Sequence, residues 1–388
     1  MTPELTYRGL RVLDLSTNIA GSYAALILAD LRADVIKIER APGGDDTRAL
    51  PPRWGDEATV FMAMNRNKRS LLLDIKSETG RVTILKLAAT AEVVIKSFPP
   101  GVANKLGLIP AAFAAANPAI VTCTVSAFGE GPLGATMPGY DALVQAVSGL
   151  MSLTGHPDSE TVRTGPSILD ATTGMWSVIA IQAALARRAA GAGGTHVQGS
   201  LIESAFALVA HQIQGLQATG EQPPKLGSGA PSAAPYRVYR ANDGFVMIAT
   251  ASEPQFPRLC AALGLSELAN DAQYATMAAR LANRATLDTA IENATKRHSV
   301  YTLIATLSAA GISAGRVNDL AEALASRVAQ ELNMFVDPLT LGRPDGLRMQ
   351  RTPVDPAGAG MRRPPPRLGE HTEELLAELD NPKAHTDG

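Results

Sequence analysis

The sequence predicts an α/β protein: a Rossmann-like parallel sheet in a discontinuous large domain, with a smaller α+β domain between its two parts. Three observations predict it. Short β-branched runs alternate with longer helical ones through the first half of the chain, which is the pattern of β-α-β units. The 388 residues exceed what one ordinary core holds. A stretch rich in Pro, Gly and Ser, residues 221–235, then interrupts the pattern and reads as an exposed linker or mobile loop.

The elements follow in order. Residues 11–15 read as the first strand, 20–31 as a helix and 34–39 as the second strand. Residues 70–74 make a third strand, and 77–91 a helix with Ser77 as its cap. Residues 93–95 and 120–125 are further strands, and a helical run extends from Thr172 to about Arg188. Beyond the linker, residues 236–239 and 245–249 flank Asn242-Asp-Gly244, a hairpin signal. Ala-rich helical sequence runs from 256 to 324, irregular sequence from 335 to 360, and a last helix from 372 to 379. The expected division is 1–224 for the large domain, 225–325 for the small one, and 326–388 for the return to the large one. Parallel sheets bind ligands at the carboxyl ends of their strands, here 16–21, 40–45, 76, 97–101 and 126–131. No Gly-x-Gly-x-x-Gly follows the first strand, so a standard dinucleotide fingerprint is absent.

Composition narrows the function. Hydrophobic residues make up 46% and aromatic ones 4%, so a sizeable core of Ala, Leu, Val and Ile is expected. The net charge of −2 gives no electrostatic case for nucleic acid or an anionic membrane, so any basic contact to a ligand is local. Cys123 and Cys260 sit in apolar runs and read as buried free thiols. With no run of about 18 apolar residues and no signal-peptide pattern, a cytoplasmic protein is expected. The histidines are scattered without metal-ligand spacing, and no metal is expected. The Gly-x-Ser-x-Gly elbow of a serine hydrolase is missing.

Asp170 interrupts a small or apolar stretch, Gly165-Pro-Ser-Ile-Leu-Asp170-Ala-Thr-Thr-Gly174, just before the long helix. Its ordinary reading is a helix N-cap. Its functional reading is a nucleophile aimed out of a loop.

The runs Arg11-Val-Leu-Asp14, 28–39, Asn65-Arg-Asn-Lys68-Arg69-Ser70 and Phe98-Pro-Pro-Gly101 come in a distinctive order. Gly139-Tyr-Asp141-Ala-Leu-Val-Gln145, Asp170-Ala-Thr-Thr-Gly174 and Pro366-Arg-Leu-Gly-Glu-His371-Thr follow them. Over nearly the whole chain they resemble the class III CoA-transferase family, which includes formyl-CoA:oxalate and carnitine CoA-transferases and the alpha-methylacyl-CoA racemases. The resemblance implies two chains threaded through each other as an interlocked homodimer. It implies no permanently bound cofactor, coenzyme A being part of the substrate, and it makes Asp170 the group that attacks the thioester.

The same resemblance implies CoA contacts at Arg40, Lys76 and Lys105, an adenine pocket at Leu73 and Phe98, and a close backbone approach at Ala20. A contact at Ser97 is implied too, although the family often has Asn there. The ordinary alternatives are solvated charges for the basic residues and core packing for Leu73 and Phe98. Gly227 and Gly229 fall where related enzymes carry a glycine-rich loop over the site. Lys68 and Arg69 serve the fold or dimer as readily as a phosphate, and His371 is expected to pack against the second subunit. Arg32 stands where the family has a helix-ending Gly, and a left-handed turn there costs Arg about 1 kcal/mol. Ile19 replaces the Gln of formyl-CoA transferases, which counts against an oxalate-like substrate.

The implied reaction moves CoA from an acyl-CoA donor to a carboxylic acid through an aspartyl anhydride and an aspartyl-CoA thioester. At an ordinary pKa of about 3.9 the attacking carboxylate is fully ionised at pH 7. Racemases of the family instead oppose a His and an Asp as acid and base. Their Gly-His-Asp triplet is Gly139-Tyr140-Asp141 here, and Tyr, with a pKa of about 10, is a poor base. Glu253-Pro-Gln-Phe256 pulls the other way, because it resembles the racemase motif that holds an active-site Glu; its ordinary reading is a helix cap. A catalytically silent CoA-binding scaffold is the third alternative, and the intact Asp170 argues against it. Succinyl-CoA with a small dicarboxylic acceptor is the first expectation for substrates.

Overall fold

The structure, a computed structural model, describes residues 7–337, 347–354 and 360–380. The expected irregular stretch 335–360 lies partly outside them. Residue contacts divide the chain into two compact units. One comprises Met1–Met151, Arg163–Glu221 and Leu332–Gly388; the other comprises Ser152–Val162 and Gln222–Glu331. The expected boundaries did not assign the short piece Ser152–Val162 to the second unit, and they ended that unit at 325.

Six strands form the sheet of the first unit: β1 (Arg11–Leu15), β2 (Asp34–Arg40), β3 (Lys68–Leu73), β4 (Val93–Lys96), β5 (Val121–Ser126) and β6 (Thr195–Ser200). They run parallel in the order β3-β2-β1-β4-β5-β6. This is the doubly wound order, in which the chain reverses direction across the sheet between β1 and β4 and opens a crevice there. Val12, Leu13, Val35, Ile36, Val93, Val94 and Val121 are buried, as the inner strands of a sheet covered on both faces must be. Strand β6 was not anticipated, because Thr195-His-Val-Gln-Gly alternates too weakly to stand out.

The helices that matter here are α1 (Ala20–Asp30), α2 (Glu78–Ala88), α3 (Val102–Leu106), α4 (Pro110–Ala116), α5 (Asp141–Val147), α6 (Ile168–Ala189) and α7 (Leu201–Leu208). On one face α1 and α6 supply Ala24, Ala25, Leu28, Val178 and Ile181 to a core with Val12, Val93 and Cys123. On the other, Ile84, Leu87 and Phe113 pack on Leu13, Ile36 and Leu71. Ser77 caps α2 by accepting from the Gly80 N–H. The 22 residues of α6 are long and apolar enough to cross a membrane, yet they lie on the sheet with Leu169, Val178 and Ile181 inward. Helices α1 and α6 meet closely at Gly174, where a Cβ would lie 2.8 Å from the Ala20 carbonyl oxygen.

Residues 360–380 return to the same sheet. The His371 N–H donates to the Ser70 carbonyl at 3.0 Å, and the Ser70 N–H donates to His371 Nδ1 at 3.3 Å. Arg69 pairs with Glu374 at 2.7 Å and Glu378 at 2.5 Å on the helix Thr372–Asp380, and with Asp34 at 2.7 Å. His371 therefore makes its backbone and ring contacts with Ser70 of its own chain. Arg32 has φ +81°, so the left-handed turn is kept without a glycine.

The second unit has an antiparallel sheet of Ser313–Arg316, Phe245–Ala249 and Tyr236–Arg240. Phe245 faces Arg240 across the Asn-Asp-Gly turn. Helical residues such as Phe256, Leu259, Leu287, Ile291, Leu303 and Leu307 bury this sheet's Tyr239, Val246 and Ile248.

Candidate active site

The loops after β1, β2, β4 and β5 surround a cleft of about 1080 Å³ at the carboxyl ends of the strands, within the first unit. Ala20, Arg40, Lys76, Ser97, Phe98, Tyr140 and Asp170 line it, so the fold brings these sequence-predicted positions together. Lys105 borders an adjoining hollow of about 310 Å³ with Lys76, Arg81 and the start of α2. Leu73 does not line the cleft: it packs against the core under α2 and α4. Gly227, Gly229 and Glu253 belong to the second unit.

Within that unit Gly227 has φ +59°, and a Cβ on it would meet the His156 ring at 2.8 Å, so glycine is required there by the backbone and by space. Gly229 donates its N–H to the Leu226 carbonyl at 2.9 Å. Glu253 is engaged on both oxygens, accepting from the Met277 N–H at 2.7 Å and from Arg280 at 2.7 Å. It thus caps the helix Met277–Ala282, not the one that follows Pro254.

Asp170 is the third residue of α6, whose first turn begins four residues earlier than the expected Thr172. The N-cap position is Ser167, and its side chain makes no capping bond. The cap comes instead from Asp141 on α5, whose Oδ2 accepts from the Leu169 N–H at 2.8 Å and the Asp170 N–H at 3.1 Å. Gln145, one turn along α5, donates to the other Asp141 oxygen and accepts from the Thr164 N–H at 2.9 Å. Two side chains four residues apart on one helix face therefore hold the whole segment 164–170. The capping role expected of Asp170 is taken by Asp141, and the Asp170 carboxylate is left to line the cleft.

This arrangement changes the charge of the site. Burial, and then the neighbouring Asp141 carboxylate, raise Asp170 from 3.8 to about 7. At neutral pH it is therefore poised between acid and carboxylate, not fully ionised as its ordinary pKa implies.

The floor of the cleft is rigid. The Lys37 ammonium, fully buried, donates to the Ser16 carbonyl at 2.8 Å and to Ser22 at 3.3 Å, and pairs with Asp45 at 2.8 Å. Asp45 in turn accepts from the N–H groups of Thr47 at 2.9 Å and Asn18 at 3.3 Å. Burial opposes the charge on Lys37, but Asp14, Asp45 and Glu39 outweigh it and raise its pKa. Lys68 is equally buried and donates to Asp14, Asn65 and the Ser22 carbonyl at 2.8, 2.8 and 2.9 Å. These bonds take all three of its N–H groups within the fold. The β1–α1 loop and the loop after β2 are thereby tied to one ammonium. Ser97 adds a bond across the crevice, accepting from the Thr17 N–H at 2.9 Å.

On the rim Arg40 pairs with Asp46, while Lys76 and Lys105 are exposed. Sequence reasoning missed Asp141 and Gln145 as site residues, although their four-residue spacing was visible in the Gly139–Gln145 run. It also missed Lys96, which lines the cleft from the end of β4. Among the described residues no group of three or more His, Cys, Asp or Glu is placed to hold a metal ion.

The model of CoA-transferase family III matches residues 7–372. A succinate–glutarate CoA-transferase of Agrobacterium fabrum is 36% identical over 383 residues, covering 96% of this chain and 95% of that protein. An acetyl-CoA:oxalate CoA-transferase of Acetobacter aceti is 33% identical, covering 98% of each. The crystal structure of a CAIB/BAIF family protein from Brucella suis superposes with a TM-score of 0.86 at 37% identity, covering 96% of this chain and 99% of that one.

Proposed function

The chain belongs to CoA-transferase family III and is a CoA-transferase, and from that premise we propose that it moves CoA between two small dicarboxylic acids with Asp170 as the nucleophile. The observation that carries the nucleophile is the position of Asp170. Its backbone is fixed by Asp141, and its carboxylate lines the cleft that the strand ends build. The dicarboxylic substrates rest on the relatives named for succinate–glutarate and oxalate transfer.

The steps balance without water. An Asp170 oxygen attacks the thioester carbonyl, the C–S bond breaks, and CoA leaves as thiolate from a mixed anhydride. The thiolate attacks the aspartyl carbonyl, releasing the donor acid and leaving an aspartyl-CoA thioester. The acceptor carboxylate attacks that thioester, again expelling thiolate, which then takes the acceptor's acyl carbon and frees Asp170. Each attack raises an oxyanion. The first amides of α1, beside Ala20, are uncapped by any side chain and border the cleft, so they are suited to receive it. Arg40, Lys76 and Lys105 suit the CoA phosphates, and Phe98 suits its adenine.

Racemisation is the less supported reading. Tyr140 stands where that reaction needs His, and Glu253 is held by Arg280 and the Met277 amide. A homodimer is part of the proposal: Met175, Trp176 and Ile179 are about half exposed along the outer side of α6 and suit burial against a second copy. Light scattering at micromolar concentration checks it, and a monomer would refute it.

The reaction itself is tested by incubating the enzyme with succinyl-CoA and quenching with hydroxylamine. Mass spectrometry is expected to find a hydroxamate on Asp170. An unmodified Asp170 in an enzyme that still exchanges CoA would overturn the assignment.

A further inference from the structure

We infer that Lys96, with Thr124 beside it, forms a subsite for the second carboxylate of the acid being transferred. The inference rests on the dicarboxylate reading above and adds the residue that selects for it.

Lys96 ends β4 at the crevice and lines the same cleft as Asp170, yet only 4% of its surface is exposed. Its stem is packed away while its ammonium borders the cleft, where its three N–H groups can meet the acceptors of a ligand. Lys37 and Lys68 have theirs within the fold. Lys96 donates no hydrogen bond among the described residues, and its ion pair, to Glu130 Oε1, is 3.9 Å long. That distance lies outside hydrogen-bonding range. Glu130 is drawn elsewhere: its Oε2 binds His196 Nε2 at 2.6 Å, while His196 Nδ1 meets Thr122 Oγ1 at 2.8 Å.

A second group points the same way. Thr124 is the register partner of Lys96 on β5 and lines the cleft. Its hydroxyl is buried beside Glu130 without a hydrogen bond of normal geometry. A cation and a hydroxyl, both nine-tenths buried and both underused, thus lie side by side at the edge of an open cleft. A carboxylate supplies two oxygens and one negative charge, which would satisfy both. Burial lowers the Lys96 pKa against the pull of Glu130, so the site gains most from a ligand that brings its own charge.

The other cations of the cleft are less suited. Lys37 is saturated, Arg40 is paired with Asp46, and Lys76 is exposed on the rim. Arg163 is exposed and spends one nitrogen on the Thr164 and Gly165 carbonyls at 3.1 and 2.8 Å. The phosphates of CoA present the same anionic chemistry as a carboxylate, so the experiment separates the two.

Succinate and butyrate have the same chain length and differ in the second carboxylate. Calorimetric binding of each to the CoA-loaded full chain is expected to favour succinate. Lys96→Met should weaken succinate by about 10- to 100-fold, the range of a hydrogen-bonded charge pair. It should leave butyrate and CoA binding within about twofold, and Lys96→Arg should recover part of the loss. Glu130→Gln removes the competing charge and should tighten succinate binding. Equal affinity of the wild type for the two acids would overturn the inference, as would an equal loss of both acids in Lys96→Met. A matching loss of CoA affinity would assign the ammonium to a phosphate and overturn it too. Should Lys96→Met not fold, weakened succinate binding in Glu130→Gln refutes it alone. Failure of the underlying reaction is a separate result, seen as a missing Asp170 hydroxamate in the wild type.

Discussion

Asp141 caps the helix that carries Asp170: its Oδ2 accepts the Asp170 N–H at 3.1 Å and the Leu169 N–H at 2.8 Å. One carboxylate thereby fixes the backbone of the other and, after burial, adds to the rise in its pKa. A helix start ordinarily favours a carboxylate in its first turn. Here the amides that would do so are taken by the neighbour, and Asp170 is left half-buried at the cleft and basic for its kind. A more basic carboxylate is a better nucleophile and remains a competent leaving group from an anhydride.

The first consequence is a pH profile. In the proposed reaction the attacking form is the carboxylate, so kcat/KM should rise through a midpoint near the Asp170 value of about 7. It should fall about tenfold per pH unit well below that and level above it. Asp141→Asn keeps an acceptor for the cap but removes the charge, and should move the midpoint down. A flat profile from about pH 5.5 to 8.5 would contradict the assignment.

Stability should follow the same group with the opposite sense. Because the folded pKa, about 7, exceeds the ordinary 3.8, the folded state binds the extra proton between those values and loses stability as pH rises through them. Asp170→Asn should therefore be more stable than wild type at pH 8, by at most about 4 kcal/mol, and match it below about pH 4. Denaturant titrations at the two pH values measure this. The variant should lose turnover while retaining CoA affinity, as should Asp170→Ala.

Lys37→Met should cost about 3–5 kcal/mol, because it strands the buried Asp45 carboxylate and the Ser16 carbonyl without their cation. Both loops it ties face the cleft, so a surviving protein should show raised KM for acyl-CoA before any change in kcat. Urea unfolding and steady-state kinetics on the same preparation check both.

Gly174→Ala places a methyl 2.8 Å from the Ala20 carbonyl and 3.0 Å from the Tyr23 ring. Overpacking of this kind costs about 1–3 kcal/mol. The displaced groups are the start of α1 and the second turn of α6, so kcat should fall more than CoA affinity. An unchanged kcat would show that the α1 amides do not serve the oxyanion.

Much of this was legible in the sequence, for physical reasons that differ by element. Runs such as Val93–Ile95 are apolar on both faces and announce themselves. Strand β6 is only partly buried at the sheet edge, has Val197 as its one large apolar residue, and gave no such signal. The start of α6 was misplaced because Pro166 and Ser167 look like loop, whereas the cap that starts the helix is Asp141, 28 residues before Leu169. A cap supplied from another helix leaves no local pattern. For the same reason Asp170 looked like a cap, and its raised pKa was invisible: both depend on who lies beside it in space. Lys96 was passed over because one lysine ending a strand carries no motif. Only its burial and the 3.9 Å gap to Glu130 give it meaning.

The return of residues 360–380 to β3 also sets an order of events at the ribosome. The second unit has its last residue at Glu331, whereas the first needs Glu374 and Glu378 to close over Arg69. During synthesis the inserted unit is fully delivered while the sheet that precedes it still waits for its final cover. A chain truncated after Glu331 would thus hold the whole second unit but leave the β3 edge without His371, Glu374 and Glu378. That edge is the surface on which a chaperone, or an unwanted neighbouring strand, would first take hold.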